Sequence, residues 1–435
     1  MKAHPSDDTG RPAEASNRVP AGALTDDTDV LVVGGGPGGA AAAILLARAG
    51  RRVVVVERDP SPRDDGCGVL LTPRSIAALR RLEFAGLDGL HRVRHVRLAT
   101  EHAAIATEWP SHPDFGSVGA IAARHALDRQ LLEMAADAGA EVLTGHEATD
   151  PIIDRGFARG AHVLASDGTT CQARAAFTVV ADGASSRFGR ALGTSRNPTW
   201  PYAMAHRSVH RSPLHAASEI ELVLDLRDRA GTPITGYGWI LPSGDGTVTV
   251  GVMMMSTSPS FQVVNPAHLV AQVVADRAER WHLDPEPIGA GTGSRLPLGL
   301  SVGPSAGPTY LLVGDAVGAA NPLTGAGVES ALETGMIAAE VIDAALASGS
   351  AAALQSYTHR LAGRYGGYYQ LGRLSNRLLG HPAVWLRTAR LVTRRRPAAD
   401  TFIRLATGEL RSGRAGLAEM IYRIGRAVSP FAPDA

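Results

Sequence analysis

Asp29-Val30-Leu31-Val32-Val33-Gly34-Gly35-Gly36-Pro37-Gly38-Gly39 is the stretch that decides the fold. Val30 to Val33 reads as a short, fully buried strand. Gly34, Gly36 and Gly39 then fill the glycine positions of a dinucleotide-type turn. One allows the turn, one lets backbone approach a pyrophosphate, and one allows a helix to pack closely on the strand. The pattern predicts a helix from about Pro37 to Ala49, with its first N–H groups aimed at phosphate. Arg52 to Val56 is the next strand. Glu57 closes it, 18 residues beyond Gly39, where an acid accepts from a ribose hydroxyl. Arg58 beside it joins the cofactor-binding set. A glycine-rich turn before an ordinary helix is the bland alternative, and the strand–turn–helix–strand–acid order speaks against it.

Two further glycine fingerprints follow. One is Val179-Val180-Ala181-Asp182-Gly183-Ala184-Ser185-Ser186-Arg187. The other is Leu311-Leu312-Val313-Gly314-Asp315-Ala316-Val317-Gly318, followed by Asn321-Pro322-Leu323-Thr324-Gly325-Ala326-Gly327. They lie about 150 and 130 residues apart along the chain. Gly314-Asp315 follows a strand, Tyr310 to Val313, and precedes a long helix, about Ala326 to Ala345. An Asp at such a turn bonds a ribityl or ribose hydroxyl, and Gly325 and Gly327 open the helix toward the pyrophosphate or the ring carbonyl. Asp182-Gly183 turns the chain back beside the nucleotide. Arg124 begins a helix to about Asp137 and is a candidate cation for the flavin or its phosphates; a salt-bridged helix-start arginine is the alternative. Together the three fingerprints describe one FAD site built from distant segments.

Composition fits a soluble globular enzyme. The chain has 435 residues, 45% hydrophobic and 20% charged, with a net charge of +1. That length supports more than one lobe, and that charge points to no nucleic-acid partner. Cys67 and Cys171 are the two cysteines, too few for a disulfide framework, and no metal-binding motif is present. A reducing, cytoplasmic location is expected. Residues 1–28 lack the apolar centre of a signal peptide and read as a disordered tail. No run reaches the ~18 apolar residues of a membrane span.

The remaining chain divides by pattern. The FAD-binding domain is expected over 29–195 and again over 291–347, interrupted by a substrate domain over 196–290. Ser218 to Leu226 and Thr247 to Met253 alternate or run apolar at strand length, between turn clusters, so that domain is expected to be a mainly antiparallel sheet. Tyr237 and Trp239 share one strand face by their spacing of two. Met253-Met254-Met255 reads as core. Residues 348–435 form a basic helical region. From Ala351 onward there are fourteen arginines, four acids and no lysine. Arg387, Arg390 and Arg394-Arg395-Arg396 stand beside Val384, Trp385, Leu386, Leu391 and Val392, a composition suited either to peripheral contact with an anionic membrane or to a solvated helical cap.

The order of motifs resembles the FAD-dependent hydroxylase-like superfamily and, more narrowly, the geranylgeranyl reductase family. Cys67-Gly68-Val69-Leu70-Leu71-Thr72-Pro73-Arg74 is similar to that family's C-G-x-G-L-T-P-R segment, with Leu70 at the second glycine. Tyr237-Gly238-Trp239-Ile240-Leu241-Pro242 is similar to its Y-x-W-x-F-P motif, with Leu241 at the phenylalanine. The resemblance spans roughly residues 29 to 350. It implies an α/β fold with a discontinuous Rossmann-like FAD domain and a substrate sheet facing the isoalloxazine. It implies reduction of an isolated carbon–carbon double bond of an isoprenoid, by hydride from reduced flavin and a proton from the site. Tyr237 and Trp239 would line an apolar pocket, and Cys67 would lie near the flavin on the substrate side. Core aromatics and a buried, inert thiol are the plain alternatives.

Rival activities differ in what they require. A flavin-dependent halogenase needs a lysine near the flavin, and the only lysine is Lys2. An iron–sulfur quinone oxidoreductase needs four cysteines. An FAD-dependent monooxygenase, hydroxylase or epoxidase shares the three fingerprints and stays open as the alternative. With no second nucleotide fingerprint, NAD(P)H or an electron-donor protein would reduce the flavin. The arginine-rich, lysine-poor composition suggests a GC-rich, bacterial source, and the family resemblance implies a role in lipid or terpenoid biosynthesis.

Overall fold

The structure is a computed structural model that describes residues 24–61, 67–411 and 416–428. The helices, in chain order, are α1 (Pro37–Arg48), α2 (Pro73–Arg81), α3 (Arg124–Asp137), α4 (Arg187–Ala191), α5 (Pro266–Trp281), α6 (Val328–Ser348), α7 (Gln355–Leu379), α8 (Pro382–Val392), α9 (Arg396–Thr407) and α10 (Leu417–Val428).

The fingerprint strand lies inside a parallel sheet. Five parallel strands run in the order Glu141–Thr144, Val53–Glu57, Leu24–Val33, Thr170–Val180, Tyr310–Leu312. Val30 to Val33 and Val53 to Val56 are all apolar because both faces of these strands are buried. The hairpin His146–Asp154 with Phe157–Ala165 pairs antiparallel with the first half of Thr170–Val180, and Tyr310–Leu312 takes its second half. Strand order reverses at Leu24–Val33. In a sheet of this kind, ligands bind outside the carboxyl ends of the strands at that reversal. All three fingerprint turns leave strands there.

The second sheet runs Thr292–Pro297, Tyr202–Arg211, Thr247–Met255, Gly236–Pro242, Glu219–Val223, His95–Ala99, Ala104–Glu108. It is antiparallel apart from the pairing of Glu219–Val223 with His95–Ala99. One face packs on α5 through Val248, Val250, Val252, Met254, Val270 and Val273. The other face carries Tyr237, Trp239 and Met253 toward the FAD-binding domain.

Several sequence-based boundaries move. The expected tail over 1–28 falls outside the described residues up to 23, but strand structure begins at Leu24, opposite Ala173. Backbone groups of the long partner strand extend the pairing beyond the apolar run that marks it in sequence. The second sheet, expected over 196–290, is not confined to those residues. It recruits 95–108 from one side and Thr292–Pro297 from the other, because its edges are completed by pairing rather than by chain neighbours. The basic region is helical, as expected. Tyr357, Leu361, Tyr365 and Tyr369 of α7, four residues apart, are buried against the FAD-binding core. Trp385, Ala389 and Val392 of α8 and Ala399 and Ile403 of α9 pack under the second sheet beside Trp109.

Candidate functional site

Two cavities meet where the sheets face one another. The larger, about 560 Å³, runs along the ends of the parallel strands. The smaller, about 290 Å³, lies between the first turn of α1 and the second sheet. Gly36, Arg124, Ala181, Gly183, Arg207 and Ser294 line both, so the space is continuous.

The larger cavity has the features a dinucleotide needs. Gly34 has φ +102, and a Cβ there would stand 2.4 Å from the carbonyl oxygen of Ala181, so only glycine makes this turn. A Cβ on Gly36 would meet only the Arg124 guanidinium, at 3.9 Å; that open side is where a pyrophosphate approaches the start of α1. Glu57 accepts from the amides of Gly35 (2.6 Å) and Asp59 (2.9 Å), which fixes its carboxylate at the rim. Arg58 lines the same cavity, exposed and paired with Asp59 at 3.8 Å. Asp182 accepts from the Phe188 amide through Oδ2 (2.9 Å), while its buried Oδ1 has no hydrogen-bond partner. Burial raises the Asp182 pKa. An orphaned acceptor beside an open glycine turn is the arrangement a cofactor hydroxyl completes.

Arg124 stands at the junction. Its amide donates to the Cys67 carbonyl (3.0 Å) and its Nε to both Asp128 oxygens (2.9 Å). It is therefore a salt-bridged helix-start residue and a lining residue of both cavities at once. Asp315 lines the smaller cavity with Gly314, Gly325 and Gly327. Burial raises its pKa and the Arg124 charge opposes that shift. The residues present fit FAD: Gly34, Gly36, Glu57 and Asp182 would hold the adenosine and pyrophosphate end, and Asp315 with the start of α6 the flavin end.

The sheet wall of the smaller cavity is built from cross-strand rows. Leu222, Trp239, Gly251, Arg207 and Thr292 are successive partners across four strand pairs, and Tyr237, Met253, Ala205 and Ser294 across three. All of these except Gly251 line the smaller cavity, with Leu70, Leu241 and Leu296. The rings of Tyr237 and Trp239 lie 5.9 Å apart. The Tyr237 hydroxyl donates to the Thr324 carbonyl (2.6 Å), and burial pushes its pKa up, so it keeps its proton. Met253, read from sequence as core, faces the cavity.

The structure thus brings Tyr237 and Trp239 to the cavity beside the FAD cradle. It does not bring Cys67 there. Cys67 is buried, and the lining residues of its segment are Gly68, Val69 and Leu70. Arg207, Leu222 and Ser294 were missed. Spacing of two marks a face within one strand, but only register across strands shows which faces coincide.

Arg74, the last residue of the Cys67–Arg74 segment, is buried and does not line the cavity. Its guanidinium donates to both Glu333 oxygens (3.1 and 2.7 Å), and the Thr72 hydroxyl donates to Glu329 (2.8 Å). Arg364 and Tyr365 of α7 also donate to Glu333. Burial works against the Glu333 charge, yet Arg74 and Arg364 hold its pKa down to about 2. The network ties α2 and α7 to α6, whose first turn borders the flavin end.

Comparison with known proteins agrees with this geometry. Residues 27–236 match the FAD binding domain family. The chain is 40% identical over 295 residues to the menaquinone reductase of Mycolicibacterium smegmatis, covering 67% of this chain and 70% of that protein. It is 30% identical over 250 residues to the digeranylgeranylglycerophospholipid reductase of Methanosphaerula palustris, covering 55% and 58%. A geranylgeranyl bacteriochlorophyll reductase-like protein of Thermoplasma acidophilum has a similar fold, with TM-score 0.72 at 22% identity over 84% of this chain and 91% of that one. With its FAD cradle and these relatives, the chain belongs to the geranylgeranyl reductase family of FAD-dependent oxidoreductases, within the FAD-dependent hydroxylase-like superfamily.

Proposed function

We propose that this oxidoreductase saturates a carbon–carbon double bond in the isoprenoid chain of a prenylated lipid, a lipid quinone being the first substrate to try. The observation that carries the reading is the composition of the smaller cavity. Leu70, Leu222, Trp239, Leu241, Met253 and Leu296 give it an apolar wall continuous with the FAD cradle. Leu70 and Leu241, the two departures from the family motifs, are both part of that wall. The names of the two relatives, one a menaquinone reductase and one a digeranylgeranylglycerophospholipid reductase, support a prenyl-bearing substrate.

Reduced FAD, when bound, supplies the hydride, and NAD(P)H or an electron-donor protein restores it. The chain supplies position, dryness and a proton. Burying a prenyl segment against the apolar wall stabilises the complex by about 0.8 kcal/mol per methylene, which fixes the alkene over the site. The second alkene carbon needs a proton. Among lining residues that ionise, Arg124 and Arg207 are cations and Asp315 belongs to the cofactor end. Tyr237 remains a neutral O–H donor on the substrate face, and we assign it the proton. Trp239 sets the shape of the pocket beside it.

The test is anaerobic. Photoreduced enzyme mixed with a prenylated quinone or a prenyl lipid should reoxidise its flavin without oxygen and give a product two hydrogens heavier. A product formed only after oxygen is admitted, and containing an added oxygen atom, would instead establish the monooxygenase reading.

A further inference from the structure

Helix α10 turns its apolar side outward. Leu417, Met420, Ile421 and Ile424 recur at helical spacing and are 51, 51, 40 and 59% exposed. A helix at the surface of a globular protein ordinarily turns such a stripe inward. Here the opposite side is tied down. Ala418 and Glu419 are buried, and Glu419 accepts from the Arg411 amide (3.0 Å). Gly425 sits against Leu371 of α7, and Gly367 of α7 meets the Tyr422 hydroxyl and Arg426. Rolling the stripe inward would break each of these contacts.

The C-terminal helical region that carries the stripe is cationic. Exposed Arg423 flanks the stripe on α10, whereas Arg426 lies on the side that faces α7. Leu378, 60% exposed, lies in the last turn of α7 beside Arg377. On α8, Val384 and Leu391 are exposed along with Arg387 and Arg390. The whole segment from residue 351 carries fourteen arginines against four acids.

We propose that α10 docks the protein on the surface of an anionic lipid bilayer. The stripe enters the headgroup–acyl boundary, and neighbouring arginines meet lipid phosphates. Charge selects this occupant over a second copy of the chain. A two-fold contact places the same surface on both sides, so it would set one basic helical region against another, whereas an anionic bilayer supplies the opposite charge. Among the described residues no helix is long and apolar enough to cross a membrane. The twelve residues of α10 span ~18 Å, which suits a helix lying flat. The inference does not depend on which substrate is reduced.

The experiment is vesicle flotation with the full-length, FAD-loaded protein. Vesicles of phosphatidylglycerol and phosphatidylcholine are compared with phosphatidylcholine alone. The wild type should float with the anionic vesicles, far less with the neutral ones, and be released by salt. The Ile421→Glu, Ile424→Glu pair should lower partition by roughly tenfold or more with flavin absorbance and melting temperature unchanged. Should that pair fail to fold, Leu417→Ser with Ile424→Ser removes apolar contact without adding charge and should weaken flotation in the same direction. Absence of flotation on anionic vesicles, or equal flotation of wild type and variants, overturns the proposal. So does a dimer seen by light scattering that the variants dissolve while vesicles have no effect, which would make a second copy the occupant.

Discussion

The indole of Trp239 lies across Gly251, its partner on the neighbouring strand, so closely that a Cβ on Gly251 would stand 2.2 Å from the ring. The pairing explains how a tryptophan fits on a crowded sheet face. The glycine leaves a slot, and the ring fills it on its way into the smaller cavity. Gly251→Ala should therefore push Trp239 toward the substrate space. The expected cost is about 1–3 kcal/mol of stability from overpacking. Turnover of a prenyl substrate should fall while the flavin-to-protein ratio stays at the wild-type value. Trp239→Ala should open the same space and shift preference toward bulkier or differently positioned chains, read by competing substrates of different length.

Tyr237→Phe and Cys67→Ala separate two candidate proton sources. Loss of the Tyr237 hydroxyl should slow alkene reduction by about 10²–10⁴-fold, the usual scale for a positioned acid. Flavin reduction by the electron donor should be unaffected. Cys67→Ala should leave both steps near the wild-type rates, because its neighbours, rather than its thiol, border the cavity. Both steps are followed through the flavin absorbance in one stopped-flow series. The opposite pattern would return the thiol to the reaction.

The glycine turn that opens the larger cavity was legible in the sequence. Gly34, Gly36 and Gly39 with Glu57 form a local unit in which strand, turn, helix and acid follow one another, so spacing alone carries the geometry. Arg124 and Asp315, which line the smaller cavity, were singled out for the same reason, each sitting at a helix or turn that follows a strand. The rest of the site depends on pairing between distant segments. Arg207 and Ser294 are 87 residues apart in sequence, and nothing local to either marks them as neighbours on one wall. The thiol of Cys67 fails in the other direction: motif position places its segment correctly, but not the side chain within it.

Asp315→Ala should lose most of the bound flavin. The carboxylate stands at the flavin end with Gly325 and Gly327, and it is a group whose hydrogen bonds the cofactor would complete. Absorbance of the purified variant against its protein concentration checks this. Full retention of FAD at unchanged affinity would remove Asp315 from the cofactor site.

Two buried glutamates should give opposite pH signatures. The Glu333 pKa is lowered to about 2 from a usual 4.5. Its contribution is present above pH 4.5 and is lost as pH falls toward 2. Glu333→Gln leaves Arg74 and Arg364 short of a counter-charge and should cost about 3–5 kcal/mol near neutrality, with the gap to wild type narrowing in acid. Glu409 is fully buried and accepts from the Trp109 indole (2.9 Å). Burial, with Glu329 nearby, raises its pKa to about 8 against the pull of Arg74. The folded state then holds a proton that the unfolded chain releases, so wild-type stability should fall as pH rises from about 4.5 to 8. Glu409→Gln should flatten that fall and be the more stable protein above pH 8. Circular-dichroism melting over this range decides, and a wild-type curve that is flat there would exclude the neutral Glu409.

The interleaving of the two sheets has a consequence for how the molecule comes into being. The FAD-binding sheet takes strands from residues as far apart as Leu24 and Leu312, and the substrate sheet from His95 to Pro297. Neither can close when its first strands leave the ribosome. A nascent chain that has reached residue 236 carries the first two cofactor turns but lacks Asp315, the strand Tyr310–Leu312, and the strand that pairs with Gly236–Pro242 on its inner side. Cofactor capture is therefore a late event of synthesis, reporting on nearly the whole chain at once. Yellow colour in an expression trial should mark finished molecules rather than fragments. Grafting one lobe onto another protein would require cutting the chain at several places, not one.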